Sequence, residues 1–435
     1  MGGPSGLSSK LRGAPLPALA ARRLVPRGHA AKDSPRVGRE DGWPPIPKTR
    51  EAGEGDVPAG RGRSLASPFG RTEPRLQADS LPLLLAAPDS FKGTASALEL
   101  CQASMQAAQE SGWRCDPCPL SDGGEGFIDA LSSSLGGLTP REMSTRVTGP
   151  LGVGVEARWV LAGDLALLES SQAIGLPLTE AQGGNDPVGA TSKGAGELLV
   201  AAARAGAVRV LMGVGGSATT DGGEGAVQVL DSFGGLAALG LEVTVACDVN
   251  VGFLGALEFA PQKGASTKDM VVLRQRLEQL GARWQERCGR DLRELPGAGA
   301  AGGLAGGLAA VGARLTDGFS LVAQMTRLQE RIAASDLVLT GEGRLDVTSF
   351  KGKVVGGVLS LAKASGRLAV LAAGSRAEGL ELPSELALAV AGVLDLSALW
   401  GLERSMAEPT RCLRGSLSEF LAAFSARGCS RTARR

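Results

Sequence analysis

Residues 208–225, VRVLMGVGGSATTDGGEG, join an apolar run to a loop that only a few architectures can use. Val208, Val210, Leu211, Met212 and Val214 read as a buried strand: a short β-branched and apolar run bounded by glycine. The chain then breaks into Gly215, Gly216, Ser217, Ala218, Thr219, Thr220, Asp221, Gly222 and Gly223. Glycine admits φ > 0 and lets backbone approach a ligand closely. Successive N–H groups in such a turn form an anion-binding nest, to which the hydroxyls add donors. Asp221 among them could accept a proton or hold a metal; the plainer alternative is an Asp closing its own turn.

The arrangement recurs. Residues 83–87 form an apolar strand that ends in Pro88-Asp89-Ser90-Phe91-Lys92-Gly93-Thr94. Ser96 and Glu99 have capping-box spacing, and Leu98, Cys101, Met105 and Ala108 predict the buried face of the following helix, with Gly112 as its stop. Such strand–loop–helix units carry ligand groups at strand carboxyl ends, where open α/β sheets bind ligands. DGGEG occurs twice, from Asp122 and from Asp221. Residues 153–168 read as antiparallel strands around Gly163-Asp164, which marks a second domain. Within it, residues 196–205 predict a helix, residues 243–246 a strand ending at Asp248, and Asp269 caps a helix carrying Leu273, Leu277 and Leu280. Runs at 337–339, 368–371 and 386–393 complete the sheet; the first two end in TGEGRLD and in Ala373-Gly374-Ser375.

Composition narrows the chemistry. The only histidine is His29, and there is no tyrosine. Ser–His–Asp and Cys–His nucleophilic chemistry and the common zinc sites are therefore excluded from the globular body, and acid–base work falls to Asp, Glu or Lys. A net charge of +1 argues against a nucleic-acid or membrane-surface partner, and no apolar run is long enough to span a bilayer. The single CxxC, at Cys115 and Cys118, reads as unpaired thiols in a reducing compartment. Residues 1–32 carry Lys10, Arg12, Arg22, Arg23, Arg27 and Lys32 and no acid, the bias of a chloroplast or mitochondrial transit peptide. Glycine loops, hydroxyls, carboxylates, a few cations and no histidine suit phosphoryl transfer, which needs positioning and charge neutralisation. Mg²⁺ would take carboxylate oxygens. The only Gly-Lys dipeptide, Gly352-Lys353, is followed by Val354, so no P-loop exists. A GxGxxG at Gly297, Gly299 and Gly302 lacks the strand a dinucleotide fingerprint requires, although a phosphate-facing helix start remains open there.

Nine blocks carry a resemblance: APDSFKGTASA from Ala87, SDGGEG from Ser121, VTGPLG from Val147, ATSKGAGELL from Ala190, GVGGSATTDGGEG from Gly213, ACDV from Ala246, FAPQKGA from Phe259, GAGAAGG from Gly297 and DLVLTGEGRLD from Asp336. Together, and in this order, they resemble the type-1 glycerate kinase family over residues 82–400. The sequence departs from that family's pattern at Thr220, at residues 250–254 and at Thr348-Ser349. The resemblance implies an α/β fold of two domains with a cleft between them, and ATP- and Mg²⁺-dependent phosphorylation of D-glycerate, generally at the 2-hydroxyl. The expected organisation is a disordered transit segment (1–80), a Rossmann-like parallel-sheet domain (81–146 and 297–425), an inserted mixed α/β domain (147–296) and a basic tail (426–435). Asp221, Asp89, Lys92, Arg344 and Asp346 are the candidate catalytic residues. Gly215, Gly216, Ser217, Thr219, Lys263, Gly299 and Gly302 are the candidate nucleotide contacts, and Asp122, Glu125 and Asp248 the candidate metal ligands. A non-catalytic binding paralogue and an NAD(P)-dependent oxidoreductase stand as alternatives; the sequence does not give the oligomeric state.

Overall fold

The structure, a computed structural model, describes residues 81–432. The expected transit segment and His29 lie outside the described residues. In chain order the strands are β1 (Leu83–Ala86), β2 (Arg114–Pro117), β3 (Arg141–Thr148), β4 (Gly154–Ala162), β5 (Leu165–Glu169), β6 (Arg209–Gly213), β7 (Glu242–Cys247), β8 (Arg314–Asp317), β9 (Leu337–Leu345), β10 (Ala369–Arg376) and β11 (Val390–Asp395). They form two sheets. The first is five-stranded, ordered β11-β10-β9-β1-β2, and wholly parallel. The second is six-stranded, ordered β3 through β8; β3, β4 and β5 pair antiparallel, and β5 to β8 parallel. The chain is thus α/β, a parallel sheet and a mixed one, each packed with helices.

A parallel sheet must be covered on both faces, which makes its strands continuously apolar. Alternate residues of β1 show this directly. Leu84 and Ala86 pack with Leu100, Cys101 and Ala107 of the helix Ala97–Glu110, while Leu85 and Ala87 pack with Phe127, Val338 and Val358 in a separate core. The capping box forms as expected, with Ser96 Oγ accepting from the Glu99 N–H. Of the expected face, Cys101 and Ala108 are buried, but Leu98 and Met105 are each 43% exposed, and Leu100, Ser104 and Ala107 face the core in their place. An alanine-rich helix offers overlapping stripes of similar hydropathy, and only one of its two leucines lies on the buried one.

Other expectations shift for similar reasons. The long helix Thr267–Cys288 is capped by Ser266, with Asp269 as the reciprocal partner three residues on; Leu273, Leu277 and Leu280 are buried as expected. The helix Pro409–Thr432 runs into the expected basic tail, since extending a formed helix needs no new nucleus. The second sheet begins at Arg141 and ends at Asp317, overrunning the expected limits of 147 and 296 on both sides. β3 and β8 are short of buried residues and so lack the apolar signature of a strand. β9 continues through Thr340-Gly341-Glu342-Gly343-Arg344 and pairs Glu342 with Ala373 and Arg344 with Ser375; what reads as a strand-end loop is extended strand. β11 starts at Val390, and residues 384–387 are helical.

Candidate active site

The carboxyl ends of β1, β9 and β10 surround a cavity of 290 Å³. Its polar wall holds Asp89, Ser90, Lys92, Arg344, Asp346 and Lys353, and its apolar wall holds Leu402 and Met406. A second cavity, of 700 Å³, opens at the ends of β5, β6 and β7 and is lined by Asp122, Glu125, Glu169, Gly216, Ser217, Asp248, Lys263 and Gly302. Leu176, Pro177, Leu178, Val249 and Phe259 give it an apolar side. Lys92 and Lys353 line both cavities, so the two share a boundary.

Each predicted residue now has a place. Asp89 is buried, with Oδ1 accepting its neighbour's Ser90 N–H at 2.7 Å. Burial, reinforced by the charge of Asp122, pushes its carboxyl up to about 8. For Lys92, desolvation works against the charge, but Asp122, Asp89, Asp248 and Glu342 outweigh it and raise the ammonium above its ordinary value. Arg344 is exposed on β9 and makes no ion pair among the described residues. Asp346 lines the smaller cavity, yet its Oδ1 is engaged in capping, accepting from the Thr348 N–H at 2.7 Å and the Thr348 hydroxyl at 2.6 Å. Those bonds, the hydroxyl's first, hold its carboxyl below the usual range.

In the larger cavity Lys263 is buried; Nζ donates to Ser217 Oγ at 3.0 Å and to the Thr219 carbonyl at 2.7 Å. Burial pulls its ammonium down to about 8. Asp248 is raised to about 6 by burial and then by the charge of Asp122. Asp122 is 7% exposed, and its Oδ1 accepts the Gly124 N–H at 3.2 Å. Glu125 stands exposed at the rim. The loop after β2 reaches the loop after β6 through a glycine pair: a Cβ on Gly215 would lie 2.5 Å from Gly124 Cα and 3.1 Å from Asp248 Oδ2.

Several predicted residues are not brought to the cleft. Asp221 is fully buried and lines neither cavity. Its Oδ2 accepts from Ser192 N at 2.7 Å, Ser192 Oγ at 2.7 Å and Gly225 N at 3.2 Å, and its Oδ1 from Gly223 N at 3.1 Å. A carboxylate so saturated has no lone pair aimed at a substrate; it ties the glycine loop to residue 192. Thr219 contributes its carbonyl to Lys263, while its hydroxyl is buried without a partner, as is that of Thr220. Gly215 packs against Gly124 and lines neither cavity. Gly299 packs against the segment around Gly252 and faces no cavity. Gly302 does line the larger cavity, with φ +67. No strand precedes these glycines, so the dinucleotide-fingerprint alternative lacks its defining context.

The arrangement matches known proteins along its length. The sequence model of the Glycerate kinase family covers residues 84–233 and 235–424. The chain belongs to the glycerate kinase family. It is 38% identical over 315 residues to "Glycerate 2-kinase" of Escherichia coli K12, spanning 64% of this chain and 82% of that one. It is 34% identical over 335 residues to "Glycerate kinase" of Halalkalibacterium halodurans, spanning 68% and 87%. A crystal structure of a Salmonella typhimurium LT2 protein described as glycerate kinase 2 superposes with a TM-score of 0.64 at 31% identity, over 80% of this chain and 99% of that one.

Within this glycerate kinase fold, several cleft residues escape sequence reasoning. Glu169, at the end of β5, is buried; its Oε1 accepts the Ile128 N–H at 2.8 Å, and burial raises its carboxyl. It thereby holds the segment after Asp122 against the second sheet. Ser90 is buried with its hydroxyl unpartnered beside the smaller cavity. Lys353 lies one residue before the helix Val354–Ala364. Strand-end position was the available signal for Glu169, since β5 stops there. Nothing in the sequence ties Lys353 to Lys92. Among the described residues no three Asp, Glu or Cys converge as a metal cage. Mg²⁺ that arrives with a nucleotide needs only one or two carboxylates besides phosphate and water. Asp122 and Asp248, in the same cavity, fit that lesser requirement.

Proposed function

We propose that this glycerate kinase family member transfers the γ-phosphoryl group of ATP to D-glycerate, giving a phosphoglycerate, with the 2-hydroxyl as acceptor. The carrying observation is the pair of adjoining cavities of unequal size, with lysines on their common boundary. The 700 Å³ cavity is of ligand-pocket size, ~300–1,000 Å³. Its apolar side around Leu176 and Phe259 suits adenine, and Gly216, Ser217 and Lys263 suit phosphate oxygens. The 290 Å³ cavity suits a three-carbon acid. Arg344 would pair with its carboxylate, a match for the planar guanidinium fork. Asp89, with its carboxyl near 8, takes the hydroxyl proton as the oxygen attacks phosphorus. Lys92 offsets charge between the two substrates.

Mg²⁺ would be held by Asp122 and Asp248, where it would neutralise phosphate charge. The protein's own residues supply placement: Lys263 keeps the glycine loop and phosphates together, and Glu169 keeps the Asp122 loop against the second sheet. A coupled assay of ADP release with D-glycerate tests the activity, and ³¹P NMR of the product tests the position. No ADP release, or a 3-phosphoglycerate signal, would overturn the respective part. The basic, acid-free composition of residues 1–32 supports delivery to an organelle; a fluorescent fusion of that segment that stays diffuse would refute it.

A further inference from the structure

The Gly-Lys dipeptide at 352–353 belongs to no P-loop, yet the fold puts its lysine on the boundary that the two cavities share. Two side chains line both cavities, Lys92 and Lys353. They differ in surroundings. Lys92 faces four carboxylates, Asp89, Asp122, Asp248 and Glu342, whose charges already raise its ammonium. Lys353 comes from the residue that precedes the helix Val354–Ala364; Glu342 and Asp346 lie near enough to feel its charge, yet its side chain neither caps that helix nor makes a direct ion pair among the described residues. Lys263, the remaining cavity lysine, is committed to Ser217 and Thr219.

In-line transfer spreads negative charge over the equatorial oxygens of the phosphoryl group while it lies between donor and acceptor. A cation already in place there stabilises the transition state more than either bound substrate. We infer that Lys353 is a catalytic residue that contacts the phosphoryl group in transit, binding it more tightly there than in ATP. This rests on the kinase reading of the cleft. The transfer itself breaks the bond from the β–γ bridging oxygen to the γ-phosphorus, leaving that electron pair on ADP. It forms the bond from the glycerate oxygen to phosphorus, and the hydroxyl proton passes to Asp89. Lys353 keeps its protons throughout.

The test compares native enzyme with Lys353→Met and Lys353→Arg in the full chain. The expected result for Lys353→Met is a fall in kcat of at least about 100-fold, within the range for loss of one transition-state charge contact. KM for ATP and for D-glycerate should each move less than about threefold, because uniform binding is not lost. Arg should restore part of the rate. A second reading avoids turnover: calorimetric binding of ADP, aluminium fluoride and D-glycerate should weaken sharply in Lys353→Met, while ATP alone binds as in the native protein. If native enzyme turns over and Lys353→Met keeps its kcat, the role of Lys353 is wrong and the kinase reading stands. If Lys353→Met loses ATP binding in step with rate, Lys353 is a ground-state contact and the inference also fails. If native enzyme shows neither turnover nor ternary binding, both readings fall together.

Discussion

Asp221 accepts four hydrogen bonds in a fully buried position, so the variant Asp221→Ala should act on stability first. It orphans Ser192 and two loop N–H groups, each costing about 1–3 kcal/mol when buried. Thermal melting should show a clear drop in Tm; a Tm equal to the native one with catalysis abolished would restore Asp221 to the chemistry. Asp89 should behave oppositely. Its carboxyl is held near 8 when folded against an ordinary 3.8, so the folded state binds the extra proton across that window and native stability declines as pH rises through it. Asp89→Asn has no such penalty; it should gain Tm relative to native protein as pH climbs toward 8, while losing about 10²–10⁴-fold in rate as a missing base does. Equal pH dependence of Tm in both proteins would count against the assignment. Lys263 titrates near the same point from the other side: its ammonium, pulled down to about 8, loses charge as pH rises through that value. ATP affinity, measured by calorimetry, should therefore fall above pH 8 and be flat with pH in Lys263→Met.

At the level of elements, the strands with β-branched or leucine runs were readable, because burial on both faces of a parallel sheet leaves a continuous apolar signature. β6 and its glycine loop, β1 and its capped helix, and β7 with Asp248 all stand where the pattern puts them. The exceptions are elements whose stability comes from partners distant in sequence. β3 has one buried residue and is a strand because β4 lies beside it. β9 carries Glu342 and Arg344 past the end of its apolar run because β10 supplies hydrogen bonds there. The site divides similarly. Loop residues next to apolar strands, such as Asp89, Lys92 and Lys263, were legible; Glu169 and Lys353 depend on where separate elements meet. Asp221 shows the limit of the pattern, since a polar residue in a glycine loop can face inward as readily as outward. The contact of that loop with the 300–303 turn gives a direct test: a Cβ on Gly302 would lie 1.9 Å from the Thr219 carbonyl. Gly302→Ala should displace the loop, lower Tm and weaken ATP binding more than glycerate binding; unchanged ATP affinity would separate this turn from the nucleotide cavity.

For the molecule as a whole, the described residues, 81–432, fall in one compact unit, and the family match begins at residue 84. A chain beginning at Glu73 should retain the kcat and Tm of the full chain; loss of either would mean that earlier residues contribute to the folded enzyme. Within this unit the second sheet is an excursion between β2 and β9. Most residues around the smaller cavity come from the first sheet and its connections, whereas the apolar side and glycine loop of the larger cavity come from the excursion. On the proposed assignment, the acceptor and nucleotide sides of the cleft are therefore drawn largely from different parts of the chain. Substitutions around Leu402, Met406 and Arg344 can change which hydroxy acid is accepted while the nucleotide half is left intact. Directed evolution could then be confined to chosen positions within residues 344–406, with Lys92 and Lys353 kept constant at the boundary of the two cavities.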